Sequence, residues 1–134
     1  MSSAGHTLVA RKVVADDPAQ ISEVVKEWCD GDSVEIVITT GGTGLSPRDV
    51  TPEAIAPLLD YDVPGVAEAI RAKSLTITPM AMLSRARAGV RGQTLIVSLP
   101  GNPKGVRECV AVVLPVLQHA AEILRNRHTG PHPR

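Results

Sequence analysis

The chain has 134 residues, enough for one domain that removes roughly two thirds of its unfolded surface from water. Its 14 lysines and arginines balance 14 acids, interspersed, and its only aromatics are Trp28 and Tyr61, which leaves neither a basic face nor a stacking platform for nucleic acid. The longest apolar stretch, around residues 110–117, is too short to span a bilayer and is broken by Pro115, and the N-terminus lacks a signal-peptide pattern, so a soluble cytoplasmic protein is expected.

In chain order, residues 7–14 (TLVARKVV) read as a first strand and residues 18–29 as a helix. Asp17, just before Pro18, is the better helix cap. Asp16, at the end of the expected strand, reads equally as a cap or as a ligand. Val34, Ile36, Val37 and Ile38 form the β-branched run of a buried strand over 34–39. It runs into Gly41, Gly42 and Gly44, which clear side chains from the backbone. Thr51, Pro52 and Glu53 then read as an N-cap and the first turn of a helix, whose N–H groups favour an anion.

Phosphate-loop signatures narrow the choice. After Gly44 stand Leu45, Ser46, Pro47 and Arg48, so there is no Walker lysine, and Pro47 occupies the place where the dinucleotide fingerprint needs glycine or alanine. A glycine loop carrying Arg48 and Asp49 suits a polyphosphate with magnesium. A tight turn whose glycines only supply positive φ is the alternative.

A helix follows from residue 52, a second at 64–75, then an irregular or hairpin segment at 79–92. Residues 94–99 (TLIVSL) form another buried strand, ending in Pro100, Gly101, Asn102 and Pro103, with Asn102 as cap of a last helix over 103–127 that Pro115 kinks or divides. Taken alone, this second loop is equally an ordinary strand-to-helix connection. Alternating strands and helices predict an α/β, three-layer α/β/α fold with a mostly parallel sheet, both loops lying at its carboxyl edge. Residues 129–134 read as a disordered tail. Cys29 and Cys109 read as buried free thiols, and no histidine has partners at metal-ligand spacing.

The string Thr39-Thr40-Gly41-Gly42-Thr43-Gly44, continued by Pro47-Arg48-Asp49-Val50-Thr51-Pro52-Glu53, resembles the signature of the molybdopterin-binding domain of bacterial molybdopterin adenylyltransferase and of the G domains of gephyrin and its plant counterpart. Thr78-Pro79, Met82-Leu83-Ser84-Arg85, Gly89-Val90-Arg91-Gly92 and Leu99-Pro100-Gly101-Asn102-Pro103 follow in the family's order. The resemblance implies a single molybdopterin-binding domain over residues 1–128 and a transfer of AMP from magnesium ATP to molybdopterin, with pyrophosphate leaving. A non-catalytic molybdopterin-binding or scaffold domain is the alternative. It further implies Asp49 and Asp16 as catalytic magnesium ligands, Thr40, Gly41, Gly42, Thr43, Gly44, Pro100, Gly101 and Asn102 as the nucleotide site, and Ser74, Ser84, Arg85 and Arg48 as the molybdopterin site. A homotrimer, and a molybdenum-insertion domain as fusion partner or complex, are the implied assemblies. The family's opening strand and S-D-R or S-D-S type loop have no counterpart before residue 6. A chain without them is expected to expose a sheet edge and to be less soluble than an extended form.

Overall fold

The computed structural model describes residues 6–31 and 33–126. Helix α1 (Pro18–Asp30) is capped by Asp17, whose carboxylate accepts the Ala19 N–H at 3.0 Å. Strand β1 (Ile36–Thr40) leads through the glycine loop to a short α2 (Thr51–Ile55), continued by a 3-10 turn at Ala56–Leu58. Then come β2 (Tyr61–Asp62), α3 (Pro64–Leu75), a 3-10 segment at Pro79–Leu83, β3 (Ala88–Arg91), β4 (Thr94–Leu99) and α4 (Pro103–Asn126).

The α/β class and its three layers are as the sequence indicates, but the sheet is mixed. In the order β1-β4-β3-β2, β1 and β4 run parallel, whereas β3 pairs antiparallel with both β4 and β2. The expectation of a mostly parallel sheet therefore holds for the β1–β4 pair alone. The reason is local: Gly92, at φ +58, opens a two-residue turn between Arg91 and Thr94, and such a turn can only join antiparallel neighbours.

Strand β4 is buried along its whole length and alternates its contacts. Leu95, Val97 and Leu99 join Ile70, Cys109, Val113, Leu117 and Leu124 beneath α3 and α4, whereas Ile96 packs with Val25, Val37, Ile55 and Leu58 beneath α1 and α2. Leu117 has no solvent exposure at the centre of the first cluster. Leu117→Ala is expected to cost about 2–5 kcal/mol in urea unfolding at unchanged secondary structure. A loss below about 1 kcal/mol would mean that α4 does not pack here as described.

Two local expectations are corrected. Residues 7–14 form no strand: Leu8 and Val13 are 71% and 90% exposed, and the segment makes no ladder with β1. Residues 7–10 instead line a cavity of about 460 Å³ with Trp28, Ile36, Ile38, Val106 and Val110. β-propensity yields a strand only where a neighbour supplies hydrogen-bond partners. Pro115, for its part, does not divide α4, which is continuous. The carbonyl that Pro115 leaves without its helical donor belongs to Ala111, and both residues are solvent-exposed, so water satisfies it. The expected tail at 129–134 lies outside the described residues.

Candidate functional site

Because β1 and β4 are parallel and in register from Ile36↔Leu95 to Thr40↔Leu99, both glycine loops leave the same carboxyl edge side by side. The Gly41 N–H donates to the Leu99 carbonyl at 3.0 Å. The loops touch: a Cβ on Gly101 would lie 3.2 Å from the Cα of Gly41. Gly41 and Gly42 have φ of +84 and +71, the left-handed region that glycine enters freely. Thr40, Gly101 and Asn102 are exposed at this edge, with Pro100 half-buried. Asn102 caps α4 as the sequence indicates, its side-chain oxygen accepting the N–H groups of Lys104 and Gly105 at 2.9 and 3.3 Å. The N-terminus of a long helix thus opens beside the loop contact.

Thr51 does not act as the expected N-cap. Val50 holds that position, and no side chain caps α2. The Thr51 hydroxyl instead donates to the Gly41 carbonyl at 3.1 Å, and its N–H donates to the Gly42 carbonyl, also at 3.1 Å. The next two carbonyls are held by Arg85: its main-chain N–H donates to Thr43 O at 2.7 Å and its Nε to Gly44 O at 2.8 Å. In a trans peptide the C=O and the following N–H point in opposite directions. Turning the carbonyls of Gly41, Gly42, Thr43 and Gly44 toward Thr51 and Arg85 therefore turns the N–H groups of Gly42, Thr43, Gly44 and Leu45 away from them. None of these four amides makes a hydrogen bond among the described residues.

Asp49 closes the loop. Its Oδ2 accepts the Ser46 N–H at 3.0 Å, its N–H donates to Ser46 O at 2.9 Å, and its Oδ1 has no hydrogen bond among the described residues. A Cβ on Gly44 would come within 2.8 Å of Asp49 Oδ2, so a side chain there would push the carboxylate aside. Arg48 is exposed, and among the described residues only its main chain is engaged, by the Ser46 hydroxyl. Asp16 is exposed ahead of α1, with no hydrogen bond or ion pair to the loop. No group of three or more acidic, histidine or cysteine side chains able to hold a metal occurs among the described residues. Magnesium does not require one, since it uses one or two carboxylates together with substrate phosphates, and the open Oδ1 of Asp49 beside the glycine loop fits that donor set.

Arg85 is the centre of this edge. Besides the two loop carbonyls, its Nη2 donates to Asp49 O at 2.7 Å, and its guanidinium forks onto Glu53 at 2.6 and 3.2 Å. The Arg85 hydrogen bonds hold the Glu53 carboxyl below the usual carboxylate range. Ser84 lines a cavity of about 740 Å³ together with Arg71, Arg87 and Asp62, its hydroxyl accepting the Ala86 N–H at 3.3 Å. Ser74 is half-buried at the end of α3, with its hydroxyl 3.4 Å from the Cys109 sulfur. Both cysteines are free and buried, and burial pushes the Cys29 thiol up to about 11, so it is no nucleophile at neutral pH.

Glu53 and the loop-holding role of Thr51 have no signal in a local reading. Thr-Pro-Glu looks like a helix start, and the partner of Glu53 lies 32 residues away. No helix among the described residues is long and apolar enough to cross a membrane.

Comparison with known proteins agrees with this geometry. The family model described as "Probable molybdopterin binding domain" matches residues 1–119. The chain is similar to gephyrin of Dictyostelium discoideum, at 45% identity over 122 residues that make up 91% of this chain and 17% of that protein. It is also similar to molybdopterin adenylyltransferase of Helicobacter pylori, at 40% identity over 113 residues, 84% of this chain and 64% of that one. The chain thus spans less than two thirds of these relatives. Among solved structures it resembles the molybdopterin biosynthesis enzyme MoaB of Thermus thermophilus, with TM-score 0.81 and 52% identity over 88% of this chain and 74% of that one. The Mog protein of Mycobacterium ulcerans gives TM-score 0.86 and 42% identity over 92% and 80% of the two chains. On the match of the family model, and with the glycine loops and Asp49 placed together at one sheet edge, the chain belongs to the molybdopterin-binding domain family.

Proposed function

We propose that this chain works in molybdenum cofactor biosynthesis as an adenylyltransferase, joining AMP from magnesium ATP to molybdopterin and releasing pyrophosphate. The observation that carries the reading is the set of four loop amides, at Gly42, Thr43, Gly44 and Leu45, that make no hydrogen bond among the described residues, beside the Gly41–Gly101 contact and the open oxygen of Asp49. Such a set cradles phosphate oxygens, as anion-binding loops do. Relatives named molybdopterin adenylyltransferase support the choice of substrates.

In the reaction, an oxygen of the molybdopterin terminal phosphate bonds to the α-phosphorus of ATP as the bond to the bridging oxygen of pyrophosphate breaks. Because the substrates supply nucleophile and leaving group, the protein's share is alignment and charge neutralisation. The loop amides and the α4 N-terminus bind the polyphosphate, and Asp49, with Asp16 as a second carboxylate, would hold magnesium. Magnesium, when bound, neutralises charge on the phosphates. Thr40, Pro100, Gly101 and Asn102 form the nucleotide edge, while Ser74, Ser84 and Arg48 face the pterin side. In this reading the protein is a cytoplasmic homotrimer that hands its product to a molybdenum-inserting partner.

Pyrophosphate release is the test. It is expected with magnesium ATP and molybdopterin together, and to disappear when either substrate or the metal is withheld. The match to gephyrin favours a second reading, in which the chain only binds molybdopterin or scaffolds an assembly. Molybdopterin binding without pyrophosphate release would establish that one instead.

A further inference from the structure

We propose that Arg85, braced by Glu53, is a positioning residue that sets the direction of the loop amides and of Asp49, rather than a ligand of substrate phosphate. The inference rests on the adenylyl-transfer reading of this edge and assigns how the edge is held in shape.

Arg85 engages three carbonyls of the loop: Thr43 through its main chain, Gly44 through Nε and Asp49 through Nη2. The first and last of these acceptors bracket the whole turn from Thr43 to Asp49. By peptide planarity, the contacts at Thr43 O and Gly44 O decide where the Gly44 and Leu45 N–H groups point. Without them, a glycine-rich segment can rotate its peptides at little cost. The contact at Asp49 O fixes the residue whose carboxylate faces the phosphates. Glu53 takes the remaining face of the fork at 2.6 and 3.2 Å and so locks the guanidinium plane. A planar, multi-acceptor grip of this kind is what guanidinium provides and a lysine ammonium does not. A guanidinium committed to two loop carbonyls and a carboxylate is also poorly placed to neutralise substrate charge.

The two roles predict opposite results for Glu53→Gln. If Arg85 were a direct phosphate ligand, removing its competing carboxylate would leave binding of magnesium pyrophosphate unchanged or make it tighter. If Arg85 positions the loop, the same change loosens the fork and weakens binding. We expect the dissociation constant for magnesium pyrophosphate, by calorimetry, to rise about 10-fold in Glu53→Gln and more in Arg85→Lys, in line with the effect of removing a partner that orients a ligand. Amide hydrogen exchange should show the Ser46, Asp49 and Arg85 N–H groups losing protection by about 10-fold or more in both variants, with Ile96 and Val97 in β4 unaffected. Tighter or unchanged pyrophosphate binding in Glu53→Gln, or loop amides protected as in the wild type in Arg85→Lys, overturns the proposal. Protection lost equally in β4 also overturns it, since the pair would then support the fold at large. If the wild-type protein does not bind magnesium pyrophosphate at all, the adenylyl-transfer reading fails, and the exchange measurement still decides whether Arg85 holds the loop.

Discussion

Asp49→Asn is expected to lower magnesium-dependent pyrophosphate release by about 100-fold or more, with molybdopterin affinity and melting temperature close to those of the wild type. The magnitude follows because replacing a residue that merely supports a metal ligand already costs roughly 10- to 100-fold in metal affinity, and Asp49 is proposed to touch the metal itself. The selectivity follows from the local geometry. Oδ2 accepts the Ser46 N–H and the main chain bonds both Ser46 and Arg85, and the asparagine side-chain oxygen can still accept from Ser46. The turn should survive while the negative charge is lost. Steady-state turnover across magnesium concentrations, set beside a molybdopterin titration, measures both. Unchanged turnover would remove Asp49 from the chemistry, and a large drop in melting temperature would show that its charge serves the fold instead.

Gly42→Ala should damage both the site and the fold. The backbone there has φ +71, which costs an L-residue roughly 1–2 kcal/mol, and the new Cβ would overlap the Thr51 hydroxyl oxygen and lie 3.3 Å from its Cβ. The hydroxyl must then move, giving up its bond to the Gly41 carbonyl, which adds about 1 kcal/mol. A total loss of roughly 2–3 kcal/mol corresponds to a fall of roughly 10 °C in melting temperature. With the Gly41 carbonyl released, the Gly42 N–H is no longer held in its present direction, so pyrophosphate binding should weaken too. Thr51→Ala removes the clash, so the double variant should be less destabilised than the sum of the two single changes. Strict additivity, or a Gly42→Ala protein that melts with the wild type, would mean that the loop does not sit on Thr51 as described.

These two predictions differ in how far a local reading could reach them. Asp49 stands out because it directly follows a glycine loop, a pattern that suits a polyphosphate with magnesium. The clash at Gly42 does not, because Thr51 reads locally as a cap, and its hydroxyl is spent on Gly41 only because the loop folds back over α2. Arg85 shows the same division. Its side chain is legible as a fork for an anion, yet the anion it holds is Glu53, and its other acceptors are carbonyls up to 41 residues away in the chain.

Features set by neighbours within a few residues were readable from the amino-acid order. A continuous apolar run marks β4 as Thr94–Leu99, the helix read over 64–75 is α3 (Pro64–Leu75), and short-range capping chemistry assigns Asp17 and Asn102 their places. The glycine runs put both loops at strand ends, where a parallel β1–β4 pair must bring them together. Features that depend on distant partners emerge only from the folded chain. Residues 7–14 have strand-forming side chains but make no ladder with the edge strand β1 and stay irregular. The sheet is mixed because a turn at Gly92 reverses the chain into β4. The orientation of the loop peptides is a tertiary fact as well: it is fixed by whatever holds each carbonyl, and here those holders are Thr51 and Arg85, which local spacing does not connect to Gly41, Gly42, Thr43 and Gly44.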